Sequence, residues 1–259
     1  MLAVQTGKIS KNGGKFVKKN IVLTVICFFL LTSIVPEGLA QSTEDIVDKM
    51  IQAQGGKAAL AKIEDATMSG TMELVSMGLS GSITMYVKEP NKTRMDMEFM
   101  GMIITQAYDG ETAWAVDPNT GSTQELPEAQ AKEMEKRSLG YGSLLNPEKY
   151  GITYTYKGKK TIEGQDFHVV EQAYKDGSTI TMYLDTKTFL VHRVESTGFN
   201  EMGMEVDQVV FSSDYREVNG IMVAYETRIL QDGEEAYAMS FTDVTFNSGL
   251  EDSLFKKEE

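Results

Sequence analysis

The sequence predicts an α+β fold, a curved antiparallel sheet with helices over its concave side, on three observations. Short runs of alternating apolar and polar residues recur along the chain, Asp-Gly or Asn-Gly pairs separate several of them, and helical spacing appears in only two regions. A sheet of about ten or eleven such strands is expected to curl, and the helices are the obvious cover for its hollow side. The alternation is clearest from Gly81 to Pro118. There Ile83, Met85 and Val87 share one face against Ser82, Thr84, Tyr86 and Lys88, and Met95, Met97 and Phe99 repeat the pattern against Arg94, Asp96 and Glu98.

In chain order, Lys15, Lys18 and Lys19 precede an almost wholly apolar run from Ile21 to Val35, and Gly38-Leu39-Ala40 ends it before Gln41. This is the layout of an export signal, so residues 1–40 are assigned to a signal peptide and 41–259 to one domain. Retention of the segment would instead anchor the protein to a membrane. Cys27, the only cysteine, lies inside the apolar run behind Ile26, where a lipidation signal needs a small residue.

Ser42-Thr43-Glu44-Asp45 supplies a hydroxyl cap and early acids for a helix. Ile46, Met50 and Ile51 carry it to Ala53, and Gly55-Gly56 ends it. Lys57 to Ile63 is a second helical piece. The first strand, Thr67 to Leu74, puts Met68, Met72 and Leu74 on one face, with Gly70 leaving room for a backbone, a ligand or a bulge. Asp109-Gly110 turns the chain toward Trp114. Pro127 to Lys136 is the clearest internal helix, and Leu144 to Tyr150 a short packed segment. Strands then resume: Ile152 to Lys157, Lys160 to Glu163, Asp166 to Ala173, Ser178 to Leu184, Phe189 to Thr197, Glu205 to Tyr215, Ile221 to Leu230 and Ala236 to Phe246. Asp252-Ser253-Leu254-Phe255 is expected to pin the end of the chain with its two apolar residues.

A net charge of −13 repels nucleic acid and anionic membrane surfaces. Cleavage after Ala40 would remove five lysines and one glutamate and leave a chain without cysteine. His168 and His192 fall on separate strands without zinc-ligand spacing, Ser143 and Ser178 lack a nucleophile elbow, and Asp109, Glu111 and Asp117 near Trp114 are ordinary turn acids. No enzyme, metal or cofactor is expected. The informative residue is methionine, present 16 times and often on strand faces, where an adaptable thioether suits an irregular apolar ligand as well as a core.

Gly81, then Val87-Lys88-Glu89-Pro90, Asp109-Gly110-Glu111-Thr112-Ala113-Trp114, Asp117-Pro118 and Asp214 to Ile221 come in the order of a known pattern. Over most of 43–256 the chain resembles the periplasmic outer-membrane lipoprotein carrier, or lipoprotein-sorting, family. The resemblance implies a strongly curved antiparallel sheet forming an incomplete β-barrel, with helices covering an apolar cavity on the concave side. It also implies shielding of lipid or lipoprotein acyl chains in the periplasm and transfer towards the outer membrane. Two positions depart: Glu89 stands where the family has an arginine that holds the helical cover, and Met95 replaces an aromatic.

Ligand contacts are expected from Met68, Met72, Met85, Met97 and Phe99, with Trp114 at the rim. The expected partner is a lipidated protein or free lipid, with envelope transport proteins in addition, and the protein is expected to be a monomer. The alternatives are a non-catalytic envelope scaffold that binds proteins and a hydrolase.

Overall fold

The computed structural model describes residues 42–118, 120–200 and 203–257. Gln41–Glu259 forms one compact unit. The expected signal peptide lies outside the described residues.

Helices α1 (Thr43–Ala53) and α2 (Lys57–Leu60) lead into β1 (Asp65–Leu74). A meander follows: β2 (Leu79–Lys88), β3 (Lys92–Phe99), β4 (Met102–Tyr108), β5 (Ala113–Val116) and β6 (Thr123–Glu125). After α3 (Glu128–Arg137) and α4 (Tyr141–Leu145) comes a second meander of β7 (Thr153–Ile162), β8 (Gln165–Ala173), β9 (Thr179–Asp185) and β10 (Val191–Phe199). It continues through β11 (Glu205–Val218), β12 (Ile221–Gln231) and β13 (Glu234–Phe246). β1 pairs antiparallel with β13, which joins the two meanders into one sheet.

This is not the strongly curved, incomplete barrel expected from the sequence. The thirteen strands form one open sheet ordered β6-β5-β4-β3-β2-β1-β13-β12-β11-β10-β9-β8-β7, neither closed nor strongly curled. The edges cannot meet usefully, because β6 has 3 residues to offer a partner strand of 10. The chain between them is spent on α3, α4 and a 3-10 turn at Pro147–Tyr150. A sheet this wide has flattening as an alternative to curling.

Local signals explain most elements. The Ser42 hydroxyl accepts from Asp45 N–H at 3.0 Å and the Asp45 carboxylate accepts from Ser42 N–H, a capping box that starts α1. Ile46, Met50 and Ile51 are its buried stripe. Ile152–Lys157 and Lys160–Glu163 read as two strands but form the single strand β7, because Gly158 at φ +95 is absorbed as a bulge opposite Val169.

Four apolar clusters hold the sheet and helices. Met72, Ile83, Met97, Phe99, Tyr225, Phe241 and Val244 pack among the middle strands. Ile46 and Met50 of α1 pack on Val170, Met182 and Leu184, and Ile51 and Leu60 pack on Ile221. Phe167, Val169 and Tyr183 form the fourth cluster, on the opposite face from His168 and Leu184.

Candidate ligand-binding cavity

Helices and sheet leave space between them. A cavity of about 380 Å³ is bounded by α1, the α3–α4 segment and strands of both meanders. Met50, Met68, Met182, Val223 and Phe246 give it apolar walls, and Glu89, Tyr154, Gln172 and Tyr174 are among its polar groups. A second cavity of about 610 Å³ lies against α3 and β9–β12, walled by Ile180, Val194, Val210 and Ile229. Lys136, Arg137 and Tyr174 line both, so the last turn of α3 stands between them. Both volumes fall in the ~300–1,000 Å³ typical of small-molecule sites.

The α3 boundary is polar. Lys136 Nζ donates to Ser178 Oγ at 2.7 Å, lies 2.6 Å from the Asp176 carboxylate, and sits over the Tyr174 ring. Hydrogen bonds from Lys136 and from Ser178 hold Asp176 far below the usual carboxylate range. Arg137 donates to Gln208 Oε1 at 2.6 Å and pairs with Glu133. No side chain of α3 is buried, so polar contacts, not core packing, seat it.

Glu89 faces the first cavity. Its carboxylate accepts from Gly142 N–H at 3.2 Å, joining the β2–β3 turn to α4. Burial pushes its carboxyl above the usual range, against the lowering pull of the Gly142 and Tyr141 amides. An added Cβ at Gly140 would lie 2.0 Å from Glu89 Oε1, so a larger residue there would displace this carboxylate. Burial likewise raises the hydroxyls of Tyr154 and Tyr174, and Gln172 donates to the latter at 2.7 Å.

Of the residues singled out from sequence, Met68 lines the first cavity. Met85 pairs across the sheet with Met68, and Met95 with Met85, so three methionines stand in a row on neighbouring strands. Met72, Met97 and Phe99 are buried in the same strand-on-strand cluster. Trp114 is 1 % exposed and its Nε1 donates to Phe255 O at 2.8 Å, away from both cavities. Alternation revealed the strand faces. It carries no information about Glu89, Lys136, Arg137 or Tyr174, which reach the cavities from turns and a polar helix.

The groups considered for chemistry have structural partners. His168 Nδ1 bonds the Tyr156 hydroxyl at 2.8 Å and stacks on Phe189; His192 stacks on Phe167, on the other face of the sheet. Two histidines on opposite faces cannot share a metal. Ser143 Oγ donates to Gly140 O, Ser178 Oγ donates to Asp176, and Asp109 closes its own turn onto the Glu111 and Thr112 amides. Among the described residues no group of three or more His, Cys, Asp or Glu could hold a metal ion, and no helix is long and apolar enough to cross a membrane.

A family model described as "Uncharacterized protein" matches residues 82–259. The chain belongs to this family. No curated protein matches the sequence. The fold is shared with solved structures at low identity. A DUF1329 family protein from Desulfovibrio piger superposes with a TM-score of 0.56 at 16% identity, covering 83% of this chain and 98% of that one. A putative outer membrane lipoprotein-sorting protein domain from Vibrio parahaemolyticus gives 0.55 at 13%, covering 83% and 95%. A LolA superfamily protein from Nitrosomonas europaea gives 0.56 at 12%, covering 83% and 98%. The chain therefore has the fold of this broad superfamily.

Proposed function

We propose that the protein binds and shields acyl chains of a lipid or lipidated protein outside the cytoplasm. The observation that carries this reading is the unfilled, methionine-walled cavity of about 380 Å³ between helices and sheet. Unbranched thioethers at Met50, Met68 and Met182 adapt to a chain of variable kink better than branched side chains do. Met72, Met85, Met97 and Phe99 continue the strand faces beyond Met68, a wall along which a longer chain would extend by displacing packed side chains. Export rests on the leading apolar segment. Transfer towards the outer membrane, aided by envelope transport proteins, is the role suggested by the fold shared with the Vibrio parahaemolyticus lipoprotein-sorting domain.

A route into the cavity is offered by α3, whose polar seat is easier to leave than a packed one. The test is uptake of a fluorescent acyl probe by Gln41–Glu259, with native mass spectrometry of the protein recovered from its own envelope. Met68→Glu is expected to weaken probe binding about tenfold or more, since it sets a charge against the apolar wall. A protein that takes up no probe and is recovered without lipid would sink the reading.

A further inference from the structure

Five large apolar side chains are exposed among the described residues: Met77 at 55%, Met100 at 82%, Met102 at 48%, Ile103 at 59% and Met204 at 52%. Their places are not scattered. Leu74 pairs with Leu79 across the β1–β2 turn that holds Met77, and Phe99 pairs with Met102 across the β3–β4 turn that holds Met100. Because Ser82 pairs with Glu98, these two turns lie at the same end of the sheet. Leu74 also pairs with Tyr237, Gln231 with Gln208 and Phe199 with Glu205, which brings the β10–β11 turn and Met204 to that end as well.

Met100 is the extreme case. Its φ of +54, followed by +81 at Gly101, makes the kind of tight turn that Asn-Gly makes without difficulty, and a methionine there is strained. At 82% exposure its side chain gains almost nothing from the rest of the protein. Such a residue points to something outside the chain.

The charge around these tips narrows what that is. Segments 73–82, 97–103, 203–207 and 230–237 hold no lysine or arginine, while Glu73, Glu98, Glu205 and Asp232 flank the apolar residues. An anionic surface would repel these three tips, while Lys175 lies at the same end on the neighbouring β8–β9 turn. The tips are also separate projections, together fewer than the ~20–30 residues a side that a stable protein interface uses. A fluid apolar phase asks for no matching shape. The turn backbones suit it, since Gly78 N–H donates to Val75 O at 3.2 Å and Gly203 N–H to Asn200 O at 2.9 Å. We infer that this end of the sheet docks on the uncharged, zwitterionic surface of a lipid bilayer by inserting Met77, Met100, Ile103 and Met204. The inference stands independently of the cavity.

The test is co-sedimentation of Gln41–Glu259, the unit that contains all four apolar clusters, with phosphatidylcholine vesicles. Binding is expected, little changed by salt and weaker on vesicles enriched in phosphatidylglycerol. Replacing Met77, Met100 and Ile103 together by serine should weaken it about tenfold or more, and leucine at the same three positions should preserve it. A peroxide footprint of the unaltered protein gives a readout that needs no variant: vesicles should protect Met77, Met100 and Met204 from oxidation. The inference is overturned if phosphatidylcholine vesicles neither bind the protein nor protect these methionines. It is also overturned if binding requires anionic lipid and is lost in salt, if a folded serine variant binds equally well, or if the tips are covered by self-association without lipid.

Discussion

At Gly70 the absence of one carbon lets two backbones meet: a Cβ there would lie 2.1 Å from Ser240 O and 2.7 Å from Phe241 Cα, where the β1–β13 pairing shifts register. Gly70→Ala is expected to lower stability by about 1–3 kcal/mol in urea denaturation, because backbone, not a movable side chain, must give way. Asp65 works by accumulation. Burial favours its neutral form, yet the Ser248 amide and hydroxyl and the Leu250 and Gly249 amides outweigh burial and hold its carboxyl below the usual range. Its stabilisation is therefore complete above the unfolded value of about 3.9 and fades as pH falls through the lower folded value. In acid titration of stability, Asp65→Asn should remove that part of the slope. Glu89 has the opposite sign. With its folded value raised, its contribution is fully present below the unfolded value of about 4.3 and is lost as pH rises through the folded one. Glu89→Gln should accordingly raise the melting temperature at neutral pH, with the gain vanishing below pH ~4; an equal gain at every pH would refute the assignment.

Among the elements, α3 and the C-terminal turn are opposites in how they are held. With no buried side chain, α3 should exchange its amide hydrogens faster than α1, whose Ile46, Met50 and Ile51 are buried. The segment Asp252–Phe255 is pinned by one of the two apolar residues expected to insert: Phe255 is fully buried and Leu254 half-buried, and Trp114 Nε1, Arg94 and Lys88 donate to the carbonyls of Phe255, Leu254 and Leu250. Phe255→Ala should cost about 3–5 kcal/mol and shift Trp114 fluorescence to the red. α1 was legible in full because its cap, stripe and terminating glycines are all local. β6 was not, since three residues of Thr-Gln-Glu carry no periodicity, and neither was β7 as one strand, since a glycine reads the same in a turn and in a bulge.

For the molecule as a whole, sheet, helices and strand faces could be read from the chain, while closure could not, because curling or lying open depends on how distant edges meet. The cavity was legible only in part. Alternation pointed to Met68, whereas the carboxylate of Glu89 and the Lys136–Asp176 pair enter through contacts between residues far apart in sequence. The pairing of Ala66 with Phe246 sets one more condition on this protein. The strand made first must wait for the strand made last, so a nascent polypeptide halted before residue 234 can assemble neither the seam nor the span across it. Such arrested chains should remain open to protease along their entire length, and native resistance should appear only once synthesis is nearly finished.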